Sequence, residues 1–320
     1  MSVDNFIPSV WASSLLRAWD TALVYANAGV INRDYEGEVS AYGDSVRINM
    51  IGDVAVQTYA KNADISAPEA LSDDQAILMI NQQKYFNFQV DDVDAAQQHP
   101  HVMAEAMRRS AYGLRKTIDS FIAGLYTDTS ASQINSTSTT YGGYNIGSTG
   151  SPITGTWTTT GSLAYDHLVH LAALLDSTDT PDDGTRFVVV PAWFEAYLRQ
   201  DLRFVAGYTD VQGNRLVSGE IEAGRRSPGS QPNNGGGPGA QRIGQAAGLN
   251  VYKSNQVPVS GGIYRVIAGH PSAWSFVQQI TKVEAYRPPY RFSDAVKGLV
   301  VYGAKVVRPY ALAVLTCQSS

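Results

Sequence analysis

The stretch Gly298-Leu-Val-Val-Tyr-Gly-Ala-Lys305 sets two glycines around four residues with a lysine close behind, which is near the layout of a phosphate-binding loop. Such a loop needs small residues between its glycines, because successive backbone N–H groups must turn inward around the phosphates. Here Leu299, Val300, Val301 and Tyr302 intervene, and these favour extended, buried chain. The lysine is displaced by one position, Val306 stands where a hydroxyl should hold magnesium, and Pro309 follows where a helix should begin. The stretch therefore reads as a buried strand. Val300 and Tyr302 share one face, Leu299 and Val301 the other, and the glycines admit close neighbours.

The remaining chemistry-bearing residues lead no further. His167 and His170 lie three apart on a predicted helix, but no Glu or Cys joins them to complete a metal site. His99 and His101 flank a proline at a helix start. The acidic groups Asp91-Asp92-Asp94, Asp73-Asp74 and Asp182-Asp183 fall at turns and helix entrances, where capping and solvation account for them. Arg225-Arg226 border a Gly/Pro-rich run and read as a solvated loop. Cys317 is the single cysteine, so there is neither an internal disulfide nor a cysteine-based zinc site. No catalytic residue, cofactor or metal is expected.

Bulk properties narrow the class. With 320 residues, 44% of them hydrophobic, the chain can bury a core divided between two units or one elaborated unit. Only 17% of residues are charged, so much surface must be covered by uncharged polar residues and tyrosine or hidden against other chains. A net charge of −5 encodes no general attraction to nucleic acid. The N-terminus lacks the layout of a secretion signal and no apolar run is long enough to span a membrane, so a product of the cytoplasm is expected.

The elements are those of an α+β chain. Trp11, Leu15, Trp19, Leu23 and Ala26 recur at helical spacing over residues 9–28. Val46-Arg-Ile48-Asn-Met50 and Phe86-Asn-Phe88-Gln-Val90 alternate with period two, and the polar, turn-rich stretch between them predicts a long two-stranded excursion. Residues 100–126 carry the strongest helix, with Met107, Ala111, Leu114, Ile118, Phe121 and Leu125 in one apolar stripe and Asp119 off it. A Ser/Thr/Gly-rich loop fills 127–161. Residues 162–200 predict helix, turn, buried strand and helix, and 225–241 predict a flexible loop. Strands are expected at Leu249–Tyr252, Ile263–Ile267, Lys282–Tyr286, Leu299–Val307 and Ala311–Leu315.

That order of parts resembles the major capsid proteins of tailed bacteriophages, the family with the Hong Kong 97-like fold. VEAYRPPYRFSDAVKGLVVYGAKVVRPYALAVL (283–315), GLNVYKSNQVP (248–258), TPDDGTRFVVVPAWFEAYL (180–198) and FIPSVWASSLLRAWD (6–20) carry the likeness, which covers essentially the whole chain. The resemblance implies an N-terminal arm at 1–35 and an extended β-hairpin loop at 36–88. It implies a peripheral domain at 89–160 and 278–296 with a spine helix at 98–126, and an axial domain at 161–277 and 297–320.

By the same resemblance the chain is a structural protein and not an enzyme. Its copies would assemble as hexamers and pentamers into an icosahedral shell, the virion capsid, enclosing double-stranded DNA without reading its sequence, after synthesis in the host cytoplasm. Trp11, Leu15 and Trp19 of the arm and Tyr59, Lys61 and Ile65 of the loop are the implied subunit contacts. Because the arm starts directly after Met1, a separate scaffolding protein is the implied assembly partner, together with a portal; the resemblance leaves open whether a decoration protein joins them, and no covalent cross-link through Lys61 is predicted. The alternatives are an encapsulin-type compartment shell and, in another class, a soluble α/β enzyme or binding module.

Overall fold

In the computed structural model, residues 24–36, 45–51, 58–59, 61, 64, 73–91, 102–127, 140–141, 144–145, 162–201 and 242–318 are described. The fold is mixed and rich in sheet. Its longest strands form a three-stranded antiparallel sheet in which β12 (Ser293–Val306) lies between β11 (Trp274–Tyr286) and β3 (Gln82–Asp91). GLVVYGAK is the second half of β12, so its backbone is committed to ladders, with Leu299 opposite both Lys282 and Tyr85. Val300, Val301 and Tyr302 are buried as expected, whereas Leu299 is 38% exposed.

Each face of this sheet has its own cover. Helix α1 (Val102–Gly124), about 35 Å long at ~1.5 Å per residue, lies on one. Its stripe of Met107, Ala111, Leu114 and Ile118 is buried, continued by Ile122 and Ala123, against Val296, Val300, Tyr302 and Phe276. The helix is followed by a tighter turn at Leu125–Thr127; residues 98–101 lie outside the described part.

The other face carries a ribbon of β1 (Ser45–Ile51) and β2 (Asp73–Met79). Val46, Ile48, Ala76, Leu78 and Ile80 turn inward onto Val277 and Val301. This corrects the predicted excursion. The partner of β1 is β2, of which only Asp73 and Asp74 belong to the stretch read as polar and turn-rich, while Phe86 and Phe88, read as the second strand, belong to the three-stranded sheet. The inward alternation of Ala76, Leu78 and Ile80 selects β2, since a two-stranded ribbon needs an apolar face to rest on something.

A six-stranded sheet forms the other half, in the order β13 (Leu312–Gln318), β10 (Ile263–Gly269), β6 (Phe187–Val190), β8 (Leu249–Lys253), β7 (Arg242–Ala246), with β9 (Val259–Ser260) also on β10. β6 and β8 run parallel and the other pairs antiparallel. Helix α2 (Ser162–Ser177) buries Leu168, Leu171 and Leu175 against Val188, Val190, Val251 and Leu315, and α3 (Ala192–Leu198), opened by Pro191, adds Phe194 and Leu198. A small hairpin, β4 (Thr140–Tyr141) with β5 (Tyr144–Asn145), is the described part of the predicted 127–161 loop. The predicted 225–241 loop lies outside the described residues.

The division expected at 296/297 falls inside β12, which runs unbroken to Val306; after it only β13 joins the six-stranded sheet. The two sheets share one core around Trp274, which stacks on Phe187 at 5.6 Å between centroids and meets the Tyr25 ring edge-on at 6.3 Å. Its indole Nε1 donates to the Val30 carbonyl at 2.6 Å. Of the predicted N-terminal helix, residues 9–23, including Trp11, Leu15, Trp19 and Leu23, lie outside the described residues. Residues 24–28 form turns rather than helix, because their amides are drawn to Asp119 and the Asn27 carbonyl caps Val30 and Ile31.

Candidate functional site

A cleft of about 610 Å³ opens between the turn at 28–34 and the start of the six-stranded sheet, with Asp34, Asp183, Thr185, His270 and Ser272 among its walls. His270 Nδ1 lies 2.7 Å from Ser272 Oγ, and His270 Nε2 lies 2.9 Å from Thr185 Oγ1 and 3.3 Å from Asp183 Oδ2. Serine, histidine and aspartate in contact invite a hydrolytic reading. The hydrogen bonds oppose it: the Ser272 backbone N–H also donates to Nδ1, at 3.2 Å, so this nitrogen is already an acceptor capping the short helical turn Pro271–Ala273. The neighbouring Ala273 N–H is spent on the His270 carbonyl at 2.9 Å, leaving no donor pair at Ser272 to stabilise an oxyanion.

Asp183 instead builds its own turn. It accepts from the Thr185 hydroxyl and amide, and those bonds hold its carboxyl down at about 2, well below the usual range. The buried guanidinium of Arg186 stitches the same turn from beneath, bonding Asp176 at 2.6 Å and the carbonyls of Thr180 and Pro181. The result is a rigid acidic corner with Asp176, Asp179, Asp182 and Asp183 exposed.

The other sequence candidates disperse. The rings of His167 and His170 meet edge-on at 5.7 Å on α2, and burial, aided by the nearby His170, pushes His167 down to about 4. No group of three potential metal ligands occurs among the described residues. Burial pushes the Cys317 thiol up to about 12, which makes it a small hydrophobe of β13. Asp91 ends β3, and the structure describes the Asp73-Asp74 pair only as the start of β2. Asp92, Asp94, His99, His101, Arg225 and Arg226 lie outside the described residues. No helix among the described residues is long and apolar enough to cross a membrane.

Asp119 escaped the sequence reading. Taken as an off-stripe charge, it is 3% exposed, and its carboxylate accepts the amides of Val24 at 2.9 Å and Ala26 at 3.4 Å. Burial raises its carboxyl to about 6, against those backbone bonds and the opposing charge of Arg115. The available signal was a lone acid beside the stripe in a basic stretch; its partners, more than 90 residues away, have no local trace.

Several aromatic side chains stand exposed among the described residues. Tyr290 is 96% exposed and Phe292 82%, both at the tip of the β11–β12 hairpin; Tyr85 and Tyr112 are also exposed. Of the implied subunit contacts, Tyr59 and Lys61 are exposed, and Trp11, Leu15, Trp19 and Ile65 lie outside the described residues.

The described residues thus form a two-sheet body with a long helix on one face of its three-stranded sheet and aromatic side chains exposed at a hairpin tip. A family described as phage capsid protein matches residues 51–315, and the chain belongs to that family. A structure from Mycobacterium phage Che8 matches with a TM-score of 0.64 and 29% identity, over 98% of each chain. The capsid of the cyanophage P-SCSP1u matches with a TM-score of 0.61 and 16% identity, over 94% of this chain and 89% of that one. A virus-like particle from Pyrococcus furiosus shares the fold at a TM-score of 0.52 and 13% identity, over 98% and 100%. No curated protein matches the chain. It is a phage capsid protein with a structural role.

Proposed function

We propose that this chain is the major capsid protein of a tailed phage, its copies packing as hexamers and pentamers into an icosahedral shell around double-stranded DNA. The observation that carries this reading is the likeness to the Che8 structure over 98% of both chains, combined with the capsid family match. In Hong Kong 97-like terms α1 is the spine helix, and the peripheral domain comprises α1, β3, β11 and the whole of β12. The ribbon β1–β2 is the base of the extended loop. The six-stranded sheet with α2 and α3 is the axial domain, and residues up to about 35 form the arm. Trp11, Leu15, Trp19, Tyr59, Lys61 and Ile65 are subunit contacts in this reading, and a scaffolding protein and a portal are partners.

The physics supports repetition over strength. Contacts that are weak singly become kinetically hard to open when multiplied around a closed shell. Electron microscopy of the purified chain co-expressed with its phage's scaffolding protein tests the reading, with closed isometric particles expected. Nuclease-protected DNA in particles from infected cells separates a virion from a compartment shell, whose particles would hold protein. Small oligomers alone would overturn the shell and leave the soluble-module alternative.

A further inference from the structure

We infer that the tip of the β11–β12 hairpin, residues 287–292, docks into the cleft beside Asp34 and Asp183 of a second copy of this chain. This contact rests on the shell reading above and names side chains for one of its interfaces. The tip is built to be presented. Pro288 and Pro289 fix its backbone, and the Arg291 amide closes the turn on the Pro288 carbonyl at 3.4 Å. On this preset frame stand Tyr290 and Phe292 with the exposed Arg291 between them. Aromatic rings with a guanidinium, held at low entropic cost, are what dominates protein interfaces.

The cleft offers the complement. Its walls include the apolar Ala28 and Pro271, its rim carries the carboxylates of Asp34 and Asp183, and the guanidinium of Arg33, also in the wall, is engaged by Glu36 at 2.9 Å. At about 610 Å³ it falls in the range, ~300–1,000 Å³, of sites that enclose a compact group. The acidic corner is rigid, through the Asp183–Thr185 and Arg186 hydrogen bonds described above.

Geometry makes the contact intermolecular. Asp183 meets His270, four residues before β11 begins, whereas the tip follows the far end of that strand. A 13-residue strand at ~3.3 Å per residue places the two roughly 40 Å apart, so one chain cannot close the contact on itself. Knob and cleft at opposite ends of one subunit make a head-to-tail contact, the kind that generates rings and closed lattices.

The test is a charge swap in the full chain, comparing Arg291→Glu, Asp34→Lys, their combination and Tyr290→Ala. All four should melt as the wild type does, since every substituted side chain is exposed. Particle yield by sedimentation should fall at least ~10-fold in each single variant and return in Arg291→Glu/Asp34→Lys, because like charges face each other in the singles only. Wild-type yield from Arg291→Glu, or a combination no better than its parents, overturns the contact. So does a loss of packaged DNA at normal shell yield, which would assign the tip to nucleic acid. If the wild type forms no particles even when co-expressed with its phage's scaffolding protein, the shell reading fails. The contact is then judged by sedimentation velocity of the unassembled proteins, where weaker self-association restored by the swap supports it and equal behaviour overturns it.

Discussion

Gly298 lies beneath the ring of Phe86, its register partner on β3, so closely that a methyl group there would overlap the ring. Phe86 stacks in turn on Phe88 at 6.0 Å, and both pack against the Met107–Ala111 end of α1. Gly303, five residues further and so on the opposite face of the strand, faces backbone instead. A Cβ there would collide with the Met79 carbonyl and come within 3.0 Å of Ile80 Cα, where the ribbon crosses the sheet. The two glycines of the false phosphate loop thus set how closely two neighbours approach β12.

Their substitution should separate the two cases. A phenyl ring can tilt, so Gly298→Ala should cost ~1 kcal/mol, within the range for mild overpacking. A carbonyl in a strand cannot move alone, so Gly303→Ala should cost ~3 kcal/mol and loosen the ribbon. Thermal melts of the two variants check the order; equal loss would mean that the ribbon is free to shift.

Asp119 and His167 should pull the pH dependence of stability in opposite directions. Asp119 titrates near 6 in the fold against 3.8 when exposed, so its contribution is present below about pH 4 and lost as pH rises through 6. His167 titrates near 4 against 6.5, so its contribution is present above pH 6.5 and lost as pH falls towards 4. Each is worth up to ~3 kcal/mol, and in the wild type they nearly cancel between pH 4 and 6.5. Urea titrations should show Asp119→Asn losing stability on acidification through this window and His167→Gln gaining it. Parallel profiles would contradict both assignments.

Cys317 should serve as an internal reporter of unfolding. Its thiol is fully buried and raised to about 12, so at pH 8 only ~1 in 10,000 is thiolate even before access is considered. A thiol reagent should leave the native chain unmodified and label it completely in denaturant, at a rate that follows global opening. Rapid labelling without denaturant would show that β13 separates from β10.

What was legible in the sequence followed the range of the interaction. Met107, Ala111, Leu114 and Ile118 announced α1 because a helix repeats its environment every 3.6 residues. Leu299–Tyr302 announced β12 because β-branched and aromatic residues in a row need burial. β2 was hidden behind Asp73 and Asp74, although Ala76, Leu78 and Ile80 carried its alternation. The bonds of Asp119 to Val24 and of His270 to Asp183 were invisible, since the partners are 95 and 87 residues apart. Only topology brings such groups together. The exposure of Tyr290 and Phe292 was hidden for the same reason, an apolar residue at a tip being indistinguishable in sequence from one in a core.

The ribbon supplies the last prediction. Its base is fixed to the sheet by Leu78 and Ile80 on Val277 and Val301, and Ile51 pairs with Asp73 at the end of the described ladder. Replacing residues 56–70 by a short Gly/Ser link spares every strand residue of β1 and β2, so the chain should fold with its melting temperature within a few degrees of wild type. If residues 56–70 bridge to a neighbouring copy, as the shell reading requires, the shortened chain should give no closed particles by electron microscopy while remaining soluble. A deletion reaching into 73–75 would be a poorer experiment, because it removes the partners of Asn49, Met50 and Ile51 and confounds folding with assembly. Normal shells from the 56–70 replacement would remove the extended loop from the assembly, leaving the hairpin tip and the arm to hold the lattice.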